Sequence, residues 1–214
     1  MVTRYLTIAR DGEAEIEVKR SRFRATLRRV ETEADARALL ERLRKERWDA
    51  RHHCSAFRLG SPPQPVERSN DDGEPAGTAG APMLEVLRGH QGGAGVSDVV
   101  AVVTRWFGGT LLGAGGLVRA YSDAVRAGLD EVGTLRRELV REFSLAVPYD
   151  TAGRVETDLR SAGVTVLGTS YDASVLLTVG APPADERRLA ALVAELTAGT
   201  GVLMAGEDRW VDRS

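Results

Sequence analysis

The chain has 214 residues, 43% hydrophobic and 28% charged, with a formal net charge of −2. This is a globular composition, too apolar for a disordered tail, and the length suffices for one large domain or two small ones. A single cysteine, Cys54, excludes an internal disulfide, and residues 1–20 carry no apolar signal core and no apolar run spans a membrane, so a soluble cytoplasmic protein without a membrane partner is expected.

Residues 15–30, EIEVKRSRFRATLRRV, read as extended chain. Phe23, Ala25 and Leu27 share one parity, and Arg20, Arg22, Arg24 and Arg28 the other. Ile16 and Val18 fall on the arginine parity, which calls for a bulge or turn near Lys19–Ser21. Thr32 and Asp35 suit a capping box, followed by a helix with an apolar face of Ala36, Leu39, Leu40 and Leu43. Residues 50–60 read as a strand. Residues 60–82 hold five of the eight prolines and read as a long loop, functional or mobile. A short helix, PMLEVLRG, follows. The run 98–105 is apolar on both parities and suits a central strand covered on both faces. The next helix should bury Leu117, Val118, Tyr121, Val125 and Leu129 and stop at Gly133.

From about residue 138 the pattern restarts. A strand at 140–147 precedes a helix with Val155 and Leu159, and two strands follow at 164–170 and 173–180. A helix with Leu189, Leu192, Val193 and Leu196 leads to a last strand from Gly201. The order βαββαβ is the split-βαβ, ferredoxin-like arrangement. Two domains are therefore expected, 1–135 and 138–214.

Four segments could carry chemistry. In RWFGGTLLGAGGLVRAY, Gly108, Gly109, Gly113, Gly115 and Gly116 stand where a strand hands over to a helix. Free N–H groups and the helix dipole there suit a phosphate, with Thr110 as a further donor and Arg105 and Arg119 flanking. The segment is neither a P-loop nor a dinucleotide fingerprint, and the same glycines could serve positive φ values and close packing. In SNDDGEPAGTAG, Asp71, Asp72 and Glu74 could hold Mg²⁺ or simply build a turn. His52, His53 and Cys54 are poor in further ligands, since only His90 remains, so no metal site and no cofactor is expected. His53 and Cys54 also face opposite sides of a strand, which counts against a thiolate–imidazole pair and against an enzyme.

The fourth segment, Lys19–Arg29, has six cations in eleven residues; Lys19, Arg20, Arg22 and Arg24 form a stripe suited to phosphates, unless the acids of helix 33–46 balance it as a solvated face. Residues 1–137 carry 22 Lys+Arg against 19 Asp+Glu, while 138–214 carry 7 against 12, so an anionic partner would meet the first part.

In this order and spacing, KRSRF, ARHHCSAF, DDGEPAGTAGAPML and RWFGGTLLGAGGLVRAY resemble the YigZ/IMPACT family, with His53 and Cys54 inside its motifs. The resemblance implies an α+β protein. Its N-terminal domain would be of βαβ type, similar to domains of ribosomal proteins and elongation factor G, and its C-terminal domain ferredoxin-like. It also implies a translation-related role, with RNA or the ribosome as partner and Gly108–Gly116 as a phosphate-binding surface beside the Asp71–Glu74 loop. The alternatives are a Mg-dependent enzyme acting on a phosphorylated small molecule and a protein-binding regulator of translation.

Overall fold

The structure is a computed structural model that describes residues 2–213. The chain divides into two compact units, one ending at Arg136 and the other spanning Arg137–Arg213. The first contains strands β1 (Arg4–Ile8), β2 (Gly12–Val18), β3 (Ser21–Arg29), β4 (His52–Leu59), β5 (Val66–Asn70) and β6 (Val99–Trp106). Its helices are α1 (Glu33–Glu46), α2 (Gly80–Gly93) and α3 (Ala114–Val132).

Five of these strands form a sheet in the order β2-β3-β6-β4-β5. All its pairs are antiparallel. Because β3 and β4 both run against β6, they are parallel to each other, with α1 as the connection and β6 inserted between them. This is a split βαβ unit. The double parity of β6 has its explanation in this central place. Val99, Ala101 and Val103 face the cluster under α2 and α3, and Val100 and Val102 face the cluster under α1 with Leu39, Leu43, Phe57 and Leu59. Burying each such large side chain favours folding by about 1.5–3 kcal/mol.

Helix α1 starts where expected, with Thr32 as N-cap accepting from Asp35 N at 3.1 Å. Helix α3 stops at Gly133, whose φ of 64° is the left-handed conformation a C-cap glycine adopts freely. The turn expected near Lys19–Ser21 is a tight hairpin: Val18 pairs with Ser21, and Lys19 and Arg20 turn at φ 47° and 67°. Three local expectations need correction. The loop at 60–82 contains β5, an edge strand on β4 whose polar sequence hides it from a hydrophobic pattern. The short helix extends back to Gly80. Val118 is 38% exposed rather than buried.

The second unit has β7 (Thr134–Val147), α4 (Tyr149–Ser161), β8 (Thr165–Tyr171), β9 (Val175–Ala181), α5 (Glu186–Leu196) and β10 (Leu203–Arg213). The sheet order β10-β7-β9-β8 is ferredoxin-like. Its apolar cluster draws every member from between Phe143 and Leu203. A fragment comprising residues 138–214 is expected to fold alone, with a cooperative thermal transition by circular dichroism. A fragment without such a transition would mean that the ferredoxin-like part is no independent domain.

Candidate functional site

The site lies at one end of the first unit's sheet, where the register aligns residues distant in sequence. Phe23 stands opposite Arg105 and Arg105 opposite His52, while Arg22 stands opposite Trp106. Alternation sends neighbours to opposite faces. Arg105 therefore turns to the α3 side, with its guanidinium 5.3 Å from the Phe23 ring centroid. Trp106 turns to the α1 side.

On the α3 side, Glu74 and Arg105 form a buried pair, their side chains 4% and 7% exposed. Arg105 Nη1 donates to Glu74 Oε1 at 2.5 Å, and Tyr121 Oη donates to the same oxygen at 2.8 Å. His52 Nδ1 lies 2.8 Å from the Asp72 carbonyl oxygen, so in the neutral ring Nδ1 carries the proton and Nε2 is left as an acceptor. That Nε2 stands 3.9 Å from Glu74 Oε1. These residues open on a cavity of about 280 Å³, whose wall also includes Arg51, Phe107, Leu112, Gly113 and Ala114. Larger open grooves, such as one of about 500 Å³ between α2 and α3, lie away from this cluster.

Cys54 is fully buried below, its Sγ donating to the Asp71 carbonyl at 3.0 Å. Burial pushes its thiol far above the usual range, so it is a hydrogen-bond donor rather than a nucleophile. Burial likewise raises the Tyr121 phenol. His53, on the other face of β4, is buried too, and that burial holds its imidazole below the usual range despite nearby Asp72.

The three carboxylates of the acidic loop diverge. Asp71 accepts from the backbone N–H groups of Gly77, Ala79 and Gly80 at 2.8, 3.1 and 2.8 Å. Burial works to raise its pKa, but these donors outweigh it and hold the carboxyl below the usual range. Asp72 accepts from His53 N at 2.6 Å and from Arg44 Nη2 at 2.6 Å. Glu74 belongs to Arg105. Among the described residues no group of three His, Cys, Asp or Glu side chains could hold a metal ion. A Mg²⁺ site built from Asp71, Asp72 and Glu74 is therefore corrected to three separate structural anchors.

The glycines of the 108–116 segment divide in role. A Cβ on Gly108 would stand 2.1 Å from the Arg20 carbonyl carbon, so this residue permits the segment to pass over the β2–β3 turn. Gly108 N donates to Ser21 Oγ at 3.0 Å, and Arg20 Nη2 donates to Thr110 Oγ1 at 3.2 Å. Gly109 and Gly113 bend the chain at φ 84° and 71°. Gly116 has only Leu112 close to a Cβ, and at Gly115 a Cβ would meet nothing within 4 Å. The first intrahelical bond of α3 runs from Leu117 N to Gly113 O, so the N–H groups of Ala114, Gly115 and Gly116 precede it. Gly113 supplies no side-chain cap, and the first turn holds no acid.

On the other face, Arg22 and Arg24 lie over the Trp106 ring at 4.7 and 5.7 Å. Arg24 pairs with Glu15 at 2.8 Å and Arg22 lies 3.9 Å from it. The balancing acids are thus on β2, set opposite by register, and not on α1 as the sequence suggests. Lys19 and Arg119 are exposed, and Arg119 does not line the cavity. Missed in the sequence were Arg51, Arg44 and the polar role of Tyr121; a phenol on an otherwise apolar helix face was the one available signal, because a buried hydroxyl needs a partner.

The Impact N-terminal domain family model matches residues 19–129, and a family described as a domain of unknown function, DUF1949, matches residues 145–200. The chain belongs to the IMPACT family. It is 36% identical to the IMPACT family member YvyE of Bacillus subtilis, over the whole chain and 96% of that protein. It is 39% identical to the IMPACT family member YigZ of Escherichia coli, over 90% of this chain and 93% of that one. A crystal structure titled only as a hypothetical protein matches with a TM-score of 0.63 at 37% identity, covering 97% of this chain and 99% of the other. The α+β fold and the IMPACT assignment thus agree with the motifs. No helix among the described residues is long and apolar enough to cross a membrane.

Proposed function

We propose that this IMPACT-family chain binds single-stranded RNA, in a translation-related role, through the end of its first sheet. The observation that carries the reading is the layering of guanidinium groups on two aromatic rings, half-buried Trp106 and exposed Phe107. Arg22 and Arg24 lie over Trp106, and Arg51 stands 5.9 Å from the centroid of Phe107, itself 41% exposed. Such a surface combines phosphate-binding cations with faces on which bases stack, without need of a fixed base sequence. The cations Lys19, Arg20, Arg22, Arg24 and Arg51 outnumber Glu15, Glu17 and Asp49 here. The Gly108–Gly116 segment borders this end and adds backbone N–H groups for a phosphate. Translation enters from the family resemblance, which implies that role.

Arg22→Glu is expected to weaken binding of an unstructured oligoribonucleotide across sequences alike. It should also reduce the slope of log affinity against log salt by about 1, because a phosphate contact releases a counterion. Fluorescence anisotropy over a salt series measures both. An unchanged affinity and slope in the folded variant would make the stripe a solvated face.

A further inference from the structure

We propose that one end of the second unit's sheet binds an arginine-rich, extended segment of a partner protein, through two stacked tyrosine rings flanked by carboxylates. Tyr149, the first residue of α4, and Tyr171, the last of β8, stack with centroids 6.4 Å apart and an interplanar angle of 28°. Aromatic rings that serve a core are covered, whereas these two are 58% and 70% exposed. The Tyr149 hydroxyl donates to the Asp172 carbonyl at 2.5 Å, which ties this ring to the β8–β9 hairpin that carries the other. Tyr149 is therefore set in place before any partner arrives, with less side-chain freedom left to lose on binding.

The charge beside the rings selects the partner. An exposed aspartate follows each ring in the chain, Asp150 after Tyr149 and Asp172 after Tyr171. The ion pairs among the described residues of this unit use other acids. The arginines of α4 are engaged elsewhere, Arg154 at the Leu196 carbonyl and Arg160 at Glu156. In the first unit, by contrast, the chain's own guanidinium groups overlie Trp106 and Phe107. Among the described residues none overlies Tyr149 or Tyr171, so both rings are open to a cation from outside. A guanidinium stacks flat on a ring while it donates to a carboxylate, which an ammonium does less well. One arginine on so exposed a site gains little, but a segment with several also answers the excess of acids in residues 138–214, 12 against 7 Lys+Arg. Bases would stack on such rings too, but their phosphates would meet carboxylates that nothing offsets.

The test measures, by fluorescence anisotropy with the full chain, the binding of a labelled peptide of alternating arginine and glycine. The same peptide with lysine for arginine should bind more weakly. Tyr171→Ala is expected to weaken binding of the arginine peptide about fivefold, while Tyr171→Phe, which keeps the ring face, should not. Asp150→Asn with Asp172→Asn should also weaken it about fivefold. Glu195→Gln with Glu207→Gln removes the same charge from exposed positions on α5 and β10, and should change binding by no more than about twofold. All these side chains are exposed, so the thermal transition by circular dichroism should be kept. Tyr171→Ala should leave oligoribonucleotide binding unchanged, since the surface proposed for RNA is on the first unit. No binding of the arginine peptide, equal binding by the parent protein and Tyr171→Ala, or an equal loss in the two carboxylate pairs would overturn the proposal. A loss of oligoribonucleotide binding in Tyr171→Ala would assign the rings to nucleic acid and overturn it as well. The expected peptide results in a chain that binds no RNA would uphold it and overturn only the RNA reading.

Discussion

Gly108→Ala is expected to destabilise the first unit by at least about 3 kcal/mol, the upper range for forcing a methyl group into filled space. The added Cβ would stand 2.1 Å from the carbonyl carbon, 2.2 Å from the carbonyl oxygen of Arg20 and 2.4 Å from Ser21 N. All three are backbone atoms of a tight hairpin whose two turn residues already have positive φ, so neither partner can give way cheaply. Gly115→Ala is the matched control: nothing lies within 4 Å of its Cβ, and alanine is favoured over glycine in a helix by roughly 0.5–1 kcal/mol. Urea denaturation should show the first variant well below the parent protein and the second at or above it. Equal loss in both variants would mean that the segment is packed throughout and offers no open backbone.

Glu74→Ala is expected to cost about 3–5 kcal/mol, the range for removing one partner of a buried ion pair. It would leave the Arg105 guanidinium and the Tyr121 hydroxyl without their acceptor, in surroundings only a few per cent exposed. Adding Arg105→Leu removes the stranded charge. The double variant should therefore be more stable than the sum of the single losses predicts, with a coupling of about 0.5–3 kcal/mol. Denaturant midpoints of the four proteins close the cycle. Additive losses would mean that Glu74 and Arg105 do not act as a pair. Such a pair bears on function, because an arginine held this way shapes the cavity wall, and under the RNA reading proposed above the phosphate contacts fall to Arg20, Arg22 and Arg24.

Much of the element order was legible because its signals are local. Thr32 with Asp35, the stop at Gly133 and the two-sided apolar run of β6 each act within a few residues. Edge strand β5 was hidden, since a solvent-facing strand such as VERSN needs no hydrophobic pattern and is held by pairing with β4. The same holds for the acids that balance the arginine stripe. Glu15 reaches Arg24 through cross-strand register, nine positions away, and not from helix α1.

The sequence alone determined the family, the alternation of elements in the second unit and the placing of five glycines between a strand and a helix. Periodicity and turn chemistry act over one or two turns of chain and survive without tertiary context. Tertiary structure alone decided which of those glycines answers to packing and which stands open, because that depends on the Arg20 backbone arriving from a distant hairpin. It also decided that Asp71, Asp72 and Glu74 part company and that Glu74 meets Arg105 and Tyr121, 31 and 47 positions further along the chain. Neighbouring carboxylates look like one site in a sequence, but each one's partner is set by sheet register and helix placement, which residue spacing does not encode.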